Sequence, residues 1–398
     1  VIQRRLAFSP DRDEAFFAAL PATPAVFLLR GDGEPYVSKT ANFRRRLQRL
    51  LGKPTEQSKR LNLRDRVREI EFTATGSDFE SQFLLYKVLR ASFPKAYSDR
   101  LRFRFAPLVK LHLENEYPRA SVTTRLGKMR FIKPAPNGAT ETVPFHEHTN
   151  LYYGPFPSRT AAEKFASDAL DFFKMRRCVD DLHPDPAFPG CVYSEMKMCL
   201  APCFKGCTDS EYHTEVARVQ AFFDSGGESL SRELAEHRDN AATELAFEDA
   251  AAVHTKIEKL KPLISQLPEI IRRVDGLAAI IVQPSAEPHS VSLFYFSECN
   301  LRGPLHFSIE PLAESRSMES RIEEAIQSFT ASGSASAIEH MEHLAILKRW
   351  FYRTHRAGEI FFADEKGSWP LRRIVRGIGR VFHGEKSPEP AGLLNPIQ

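Results

Sequence analysis

The sequence predicts a multidomain α/β protein. Its 398 residues are too many for a single ordinary core. Short apolar runs of strand type alternate with segments of helical period. A group of closely spaced cysteines then precedes a long helical region. With 42% hydrophobic and 27% charged residues, the composition is that of a globular chain. The densest apolar stretch, Leu277 to Val282, falls far short of the roughly 18–20 residues that span a bilayer. The opening VIQRRLAFSPDRDEAF has neither the apolar core nor the cleavage site of a secretory signal. A cytoplasmic location is expected, where thiols stay reduced and clustered cysteines read as ligands before disulfides.

Residues 1–20 read as a helical lead-in. AVFLLR (25–30), bounded by Pro24, and YVSKT (36–40) flank an Asp-Gly turn, the pattern of a β-hairpin. Asn42 caps a helix, FRRRLQRLL, whose Phe43, Leu47, Leu50 and Leu51 share a face. EIEFTAT (69–75) reads as a third strand, followed by a helix over 78–93 that stops near Pro94. This order predicts an α/β domain over 1–100. Residues 101–207 form a mixed segment of strands and loops, with a helix around 158–174 leading into the cysteines. Thr208 and Glu211 have capping-box spacing and open a helical hairpin over 208–265, broken at 225–227. Strands return after Pro268, with a helix at 337–355, in a small mixed α/β region over 266–385. The tail 386–398, KSPEPAGLLNPIQ, is expected to be disordered.

Net charge is only +4, but its distribution is uneven. Ten basic side chains lie between residues 44 and 68, opposed only by Glu56 and Asp65. Such a run reads either as a solvated face or as a phosphate-binding surface, because polyanion binding releases condensed counterions. Arg44, Arg45, Arg49, Lys53 and Arg60 are the candidate DNA-binding residues.

The hairpin and helix at 24–51 resemble the GIY-YIG nuclease signature found in the UvrC family of excinuclease proteins. Its tripeptides stand here as Ala25-Val26-Phe27 and Tyr36-Val37-Ser38, and Lys39, Asn42 and Arg46 fall where the family has Lys, Asn and Arg. Phosphodiester hydrolysis needs a base for water, cationic stabilisation of developing charge, and a metal held by a carboxylate. The resemblance implies Tyr36 as base, with Lys39 and Arg46 facing the phosphate. The family's metal-binding Glu, counted back from Pro94, falls on Leu85. Glu80 lies five positions earlier, roughly 140° round the helix axis, and Asp78 is the other nearby carboxylate. A leucine cannot hold Mg²⁺, which takes hard oxygen ligands. Phe27, Ser38 and Leu50 depart from the family pattern as well. Mg²⁺ is therefore expected only if the nuclease site is active.

The cysteines read Cys178-x12-Cys191-x7-Cys199-x3-Cys203, with Cys207 close behind and Cys299 apart. Four thiols in one short segment suit a tetrahedral zinc or a cubane iron–sulfur cluster. Their surroundings, Tyr153-Gly154-Pro155-Phe156, Arg177-Cys178, Cys199-Leu200-Ala201-Pro202-Cys203 and Glu211-Tyr212, are similar to UvrC. That resemblance implies a [4Fe–4S] cluster on Cys178, Cys191, Cys199 and Cys203, with zinc as the alternative.

Residues 245–260 resemble the UVR motif, through which UvrC meets the excinuclease B subunit. The Phe-Glu-x-Ala-Ala core is intact at Phe247 to Ala251, while the usual Arg-Asp is His254-Thr255. Phe247, Glu248, Ala251 and Ile257 are the candidate partner-binding residues. Residues 274–310 resemble the central UvrC region, and the remaining residues are too few for the second nuclease and helix-hairpin-helix pair of that family. The expectation is a shortened, divergent UvrC paralogue tied to nucleotide excision repair. It binds DNA, and its GIY-YIG-like fold has lost the metal carboxylate and serves an accessory or regulatory role. The alternative is a divergent single-incision endonuclease.

Overall fold

The predicted Asp-Gly hairpin forms, with β2 (Ala25–Gly31) and β3 (Tyr36–Thr40) antiparallel, Phe27 opposite Ser38 and Leu29 opposite Tyr36. Gly33 takes φ +94° in the turn, a conformation open to glycine. The structure is a computed structural model and describes residues 2–54, 61–127, 149–310, 316–330, 336–364 and 366–385. The lead-in is not simply helical. β1 (Arg4–Ala7) adds to the sheet before a short α1 (Glu14–Ala18). Its charged RRLA looks unlike a strand because only an edge position, paired with the strand at 67–74, is asked of it.

Asn42 caps α2 (Phe43–Leu51) by accepting from the Arg45 N–H at 2.9 Å. The third strand, β4 (Val67–Ala74), and then α3 (Asp78–Ser92) follow, giving a sheet ordered β1-β4-β2-β3. Two apolar faces result. Phe27 and Leu29 pack with Phe43, Leu47, Leu50 and Leu51 of α2, while Val26 and Leu28 pack with Leu84 and Val88 of α3.

A second sheet joins β5 (Leu108–Leu111), β6 (Ala120–Thr123), β7 (Leu151–Gly154) and β8 (Arg272–Arg273) in the order β6-β5-β7-β8. α4 (Tyr97–Leu101) precedes it, and α5 (Arg159–Leu170) covers it. The cysteine segment holds only a four-residue α6 (Val192–Glu195) and a 3₁₀ turn at Pro202–Phe204. The helical region has one more break than the sequence suggested. α7 (Asp209–Asp224), α8 (Glu228–Thr243) and α9 (Phe247–Ser265) are separate, and Leu245 turns the last corner at φ +59°. No Gly or Pro marks that corner, so composition could not reveal it.

The third sheet, ordered β11-β10-β9-β12, contains β9 (Ala279–Pro284), β10 (Ser290–Ser297), β11 (Asn300–Ser308) and β12 (Glu359–Phe362). α10 (Met318–Thr330), α11 (Ala337–Phe351) and α12 (Leu371–His383) accompany it. The tail 386–398 lies outside the described residues. The molecule is thus mixed α/β with three sheets among the described residues. Its largest apolar core runs without interruption from α3 through the second sheet and α7–α9 to α11.

Candidate functional site

Alternation along β3 sends neighbouring side chains to opposite faces. Tyr36 lies on the α2 side, against Phe27, with ring centroids 6.1 Å apart, and its hydroxyl accepts from the Arg46 guanidinium at 2.8 Å. Arg46 Nε is buried with no partner among the described residues. Val37 packs on the α3 side. Lys39 shares that parity, and its Nζ donates to Asp78 at 2.6 Å. The three candidate catalytic residues therefore fall into two pairs, Tyr36–Arg46 and Lys39–Asp78, on opposite faces of the sheet. Asp78 also pairs with Arg353, which follows α11. Burial pushes the Asp78 carboxyl upward, but Lys39 and Arg353 outweigh it and hold the group below the usual carboxylate range.

Leu85 packs against the apolar cluster of Val26, Leu28, Leu84 and Val88. Glu80 is buried on another side of α3. It accepts from the Gly76 N–H at 3.0 Å and the Ser292 hydroxyl at 3.4 Å, and its burial raises its pKa. Gly76 itself lies where a Cβ would stand 2.1 Å from the Pro284 carbonyl oxygen, so only glycine permits this approach of the α3 turn to β9.

The basic run divides by role. Arg45, Arg49 and Lys53 are exposed, whereas Arg44 Nε donates to the Leu20 carbonyl at 2.7 Å. Arg60 lies outside the described residues. Arg64 is buried and donates to the carbonyls of Pro10 at 2.9 Å, Leu51 at 2.5 Å and Arg12 at 2.6 Å, which makes it a structural residue.

All four candidate cysteines are half-buried and unpaired. Cys178 accepts from the Arg176 guanidinium at 3.4 Å and Cys199 from the Ala201 N–H at 3.3 Å. Burial raises Cys199 to about 11, and the charges of Cys178, Cys203 and Cys191 add to the rise. In donor chemistry they fit a thiolate-bound zinc or iron–sulfur group. Among the described residues no three His, Cys, Asp or Glu side chains are already disposed to hold a metal ion.

At the α8–α9 hairpin, Val253, Ile257 and Leu260 face inward and are buried. Ile257, expected on the partner surface, therefore belongs to the protein's own core, because its position one turn past Val253 puts it on the inner stripe. Phe247, Glu248 and Ala251 are exposed, and Phe247 and Leu245 remain 67% and 70% accessible at the tip.

Sequence reasoning missed the seam between α3 and the third sheet with its helices. Glu342, buried on α11, accepts from the hydroxyls of Tyr86 and Tyr97, each at 2.8 Å. Arg90 pairs with Glu339, and Leu301 N–H donates to Nδ1 of the buried His343 at 3.1 Å. Phe79 meets Phe294 and Trp350 at centroid distances of 5.0 and 5.1 Å. The available signal was the apolar content of α3 on two opposite sides, which a single-faced surface helix does not need.

Residues 111–222, which run from the end of β5 to α7 and include all four candidate cysteines, match the family model of the UvrC/Cho excinuclease middle domain. This part of the chain is therefore similar to the middle domain of that excinuclease family. UvrABC system protein C of Legionella pneumophila (strain Lens) is 27% identical over 273 residues, 68% of this chain and 41% of that protein. Its counterpart in Idiomarina loihiensis is 26% identical over 62% of this chain and 37% of its own length. The protein of Hydrogenovibrio crunogenus is 28% identical over 64% and 38%. The chain is a divergent UvrC-like protein. It spans about two fifths of the length of these curated relatives. No solved structure matches it. No helix among the described residues is long and apolar enough to cross a membrane.

Proposed function

We propose that this protein binds DNA in nucleotide excision repair, with a GIY-YIG-like fold that has lost its metal carboxylate and acts in an accessory or regulatory role. The observation that carries this reading is Leu85. At the family's metal-ligand position it supplies only carbon, packed against the apolar cluster of Val26, Leu28, Leu84 and Val88. Arg45, Arg49 and Lys53 offer the exposed cations that phosphate contacts require. The exposed Phe247, Glu248 and Ala251 form the surface through which the UVR-like hairpin would meet the excinuclease B subunit. Cys178, Cys191, Cys199 and Cys203 would hold a [4Fe–4S] cluster, or zinc in the alternative, as a staple for a segment with little regular structure. Anaerobically purified protein is then brown, and Cys199→Ser or Cys203→Ser bleaches it; a colourless protein with stoichiometric zinc refutes the cluster.

A second reading, a divergent single-incision endonuclease with Mg²⁺, draws on Asp78, a carboxylate that does reach Lys39. Plasmid nicking with Mg²⁺ or Mn²⁺ separates the two. The accessory reading predicts no nicking. Nicking that Tyr36→Phe or Arg46→Ala abolishes would overturn it.

A further inference from the structure

α4 ends in Arg102, whose left-handed backbone (φ +49°) turns the chain back toward α11. A cavity of about 460 Å³ opens there, bounded by Gln82, Arg102, Arg104, Lys348, Arg349 and Tyr352, with the half-buried Phe103 alongside. This is the size range of small-molecule sites. Four cations line it and no carboxylate does. None of the four has an ion-pair partner among the described residues, whereas Arg90, Arg100, Arg177 and Arg218 each pair with a carboxylate. The C-terminal turn of a helix favours cations, which accounts for Lys348 and Arg349 on α11. It accounts for Arg102 at the end of α4 as well, but not for Arg104, which lies beyond that helix and lines the same cavity. Burial and the neighbouring Arg104 charge depress the Lys348 pKa, so bringing these groups together is unfavourable until an anion joins them.

We propose that this groove binds a phosphate ester, holding one nucleotide unit with its phosphate at Arg104 and Lys348 and its base or sugar toward Phe103 and Gln82. Guanidinium and ammonium groups converging in a half-closed site suit a phosphate's several acceptor oxygens. Phe103 stacks on Phe105 with ring centroids 6.1 Å apart and meets Tyr86 edge-on at 5.9 Å, so it gives the base or sugar an apolar wall rather than a free stacking face. Gln82 stands one helical turn after Asp78 on α3, and Asp78 takes both Lys39 and Arg353, the residue after Tyr352. The inference rests on the DNA-binding reading only for the source of the phosphate, a strand rather than a free nucleotide.

The test uses the full chain and an Arg104→Ala/Lys348→Ala double variant. Fluorescence anisotropy follows a labelled single strand, a duplex and a labelled nucleoside triphosphate across a salt series. Loss of two phosphate contacts should weaken binding about tenfold and flatten the salt dependence by about one to two contacts. The variant should melt no lower than the parent, since it relieves like-charge repulsion. A charge-preserving Arg104→Lys/Lys348→Arg variant should keep most of the affinity. If only the triphosphate loses affinity, the site stands with a free nucleotide as its source, and a DNA strand is ruled out as the groove's ligand. If strand binding responds to Arg45→Ala/Arg49→Ala but neither ligand responds to the groove variant, the groove proposal is overturned and the DNA reading survives. A parent protein that binds none of the three ligands overturns both.

Discussion

Truncating Glu342 to alanine should cost this protein about 3–5 kcal/mol, the toll of breaking a buried charged network. The carboxylate is 1% exposed and accepts from Tyr86 and Tyr97, each at 2.8 Å. Hydrogen bonds to a charged group contribute about 1.5–3 kcal/mol each. Removing the acceptor leaves the Tyr86 hydroxyl, on a residue only 1% exposed, with Arg90 beside it and no carboxylate to receive its proton. Tyr97 is less enclosed and can turn to water. Tyr86→Phe alone should therefore cost about 1.5–3 kcal/mol, and in the Tyr86→Phe background Glu342→Ala should cost correspondingly less, a coupling of about 1–2 kcal/mol. An all-apolar Tyr86→Phe/Tyr97→Phe/Glu342→Leu seam should recover much of the loss, because it also removes the desolvation cost of the carboxylate. Urea unfolding followed by fluorescence reads this locally. Trp350 sits 5.1 Å from Phe79 in the seam, and Trp369→Phe removes the one other tryptophan. A loss below about 1 kcal/mol for Glu342→Ala, or strict additivity with Tyr86→Phe, would refute the reasoning.

Burial depresses His343 to about 4 from its ordinary 6.5, so the folded protein keeps it neutral while the unfolded chain protonates it. Its contribution is fully present above pH 6.5 and is lost as pH falls toward 4; melting temperature should drop across that window, and less steeply in His343→Gln. Arg64→Ala should destabilise by about 3–5 kcal/mol, since it strands three carbonyls. Arg45→Ala and Arg49→Ala should change stability by less than about 0.5 kcal/mol yet each lower the DNA salt slope by about one; an equal stability loss at all three sites would refute the division of the basic run. Phe247→Ala should leave the melting temperature unchanged, because the ring is 67% exposed, and weaken binding to the excinuclease B subunit by at least tenfold in a titration. Unchanged affinity removes the hairpin tip from the partner surface.

What could be read from the sequence was local. The Asp-Gly hairpin, the Asn42 cap and the Thr208–Glu211 capping box each depend on a few adjacent residues, and all three form. β1 escaped notice because an edge strand needs little apolar character, and the corner at Leu245 because a leucine rather than a glycine takes the positive φ that ends α8. The basic run could not be sorted in advance. Arg64 and Arg45 are the same residue type in the same run, and only the three carbonyls around Arg64 distinguish them. Ile257 was misjudged for a related reason, since a helical stripe shows which residues align but not which side meets the protein's own core. The cavity beside α11 is assembled from segments more than 240 positions apart, and no local pattern encodes it.

α3 belongs to two cores at once. Leu84 and Val88 serve the first sheet, while Phe79, Phe83 and Tyr86 serve the large core shared with α11. A recombinant fragment ending near residue 100 would carry those three aromatics into water, each about 150–250 Å² of surface that was covered. Such a fragment invites aggregation, and a null result in a nuclease or DNA-binding assay on it would describe the fragment. The α11 side of the seam must be expressed with the first sheet for either activity to be judged.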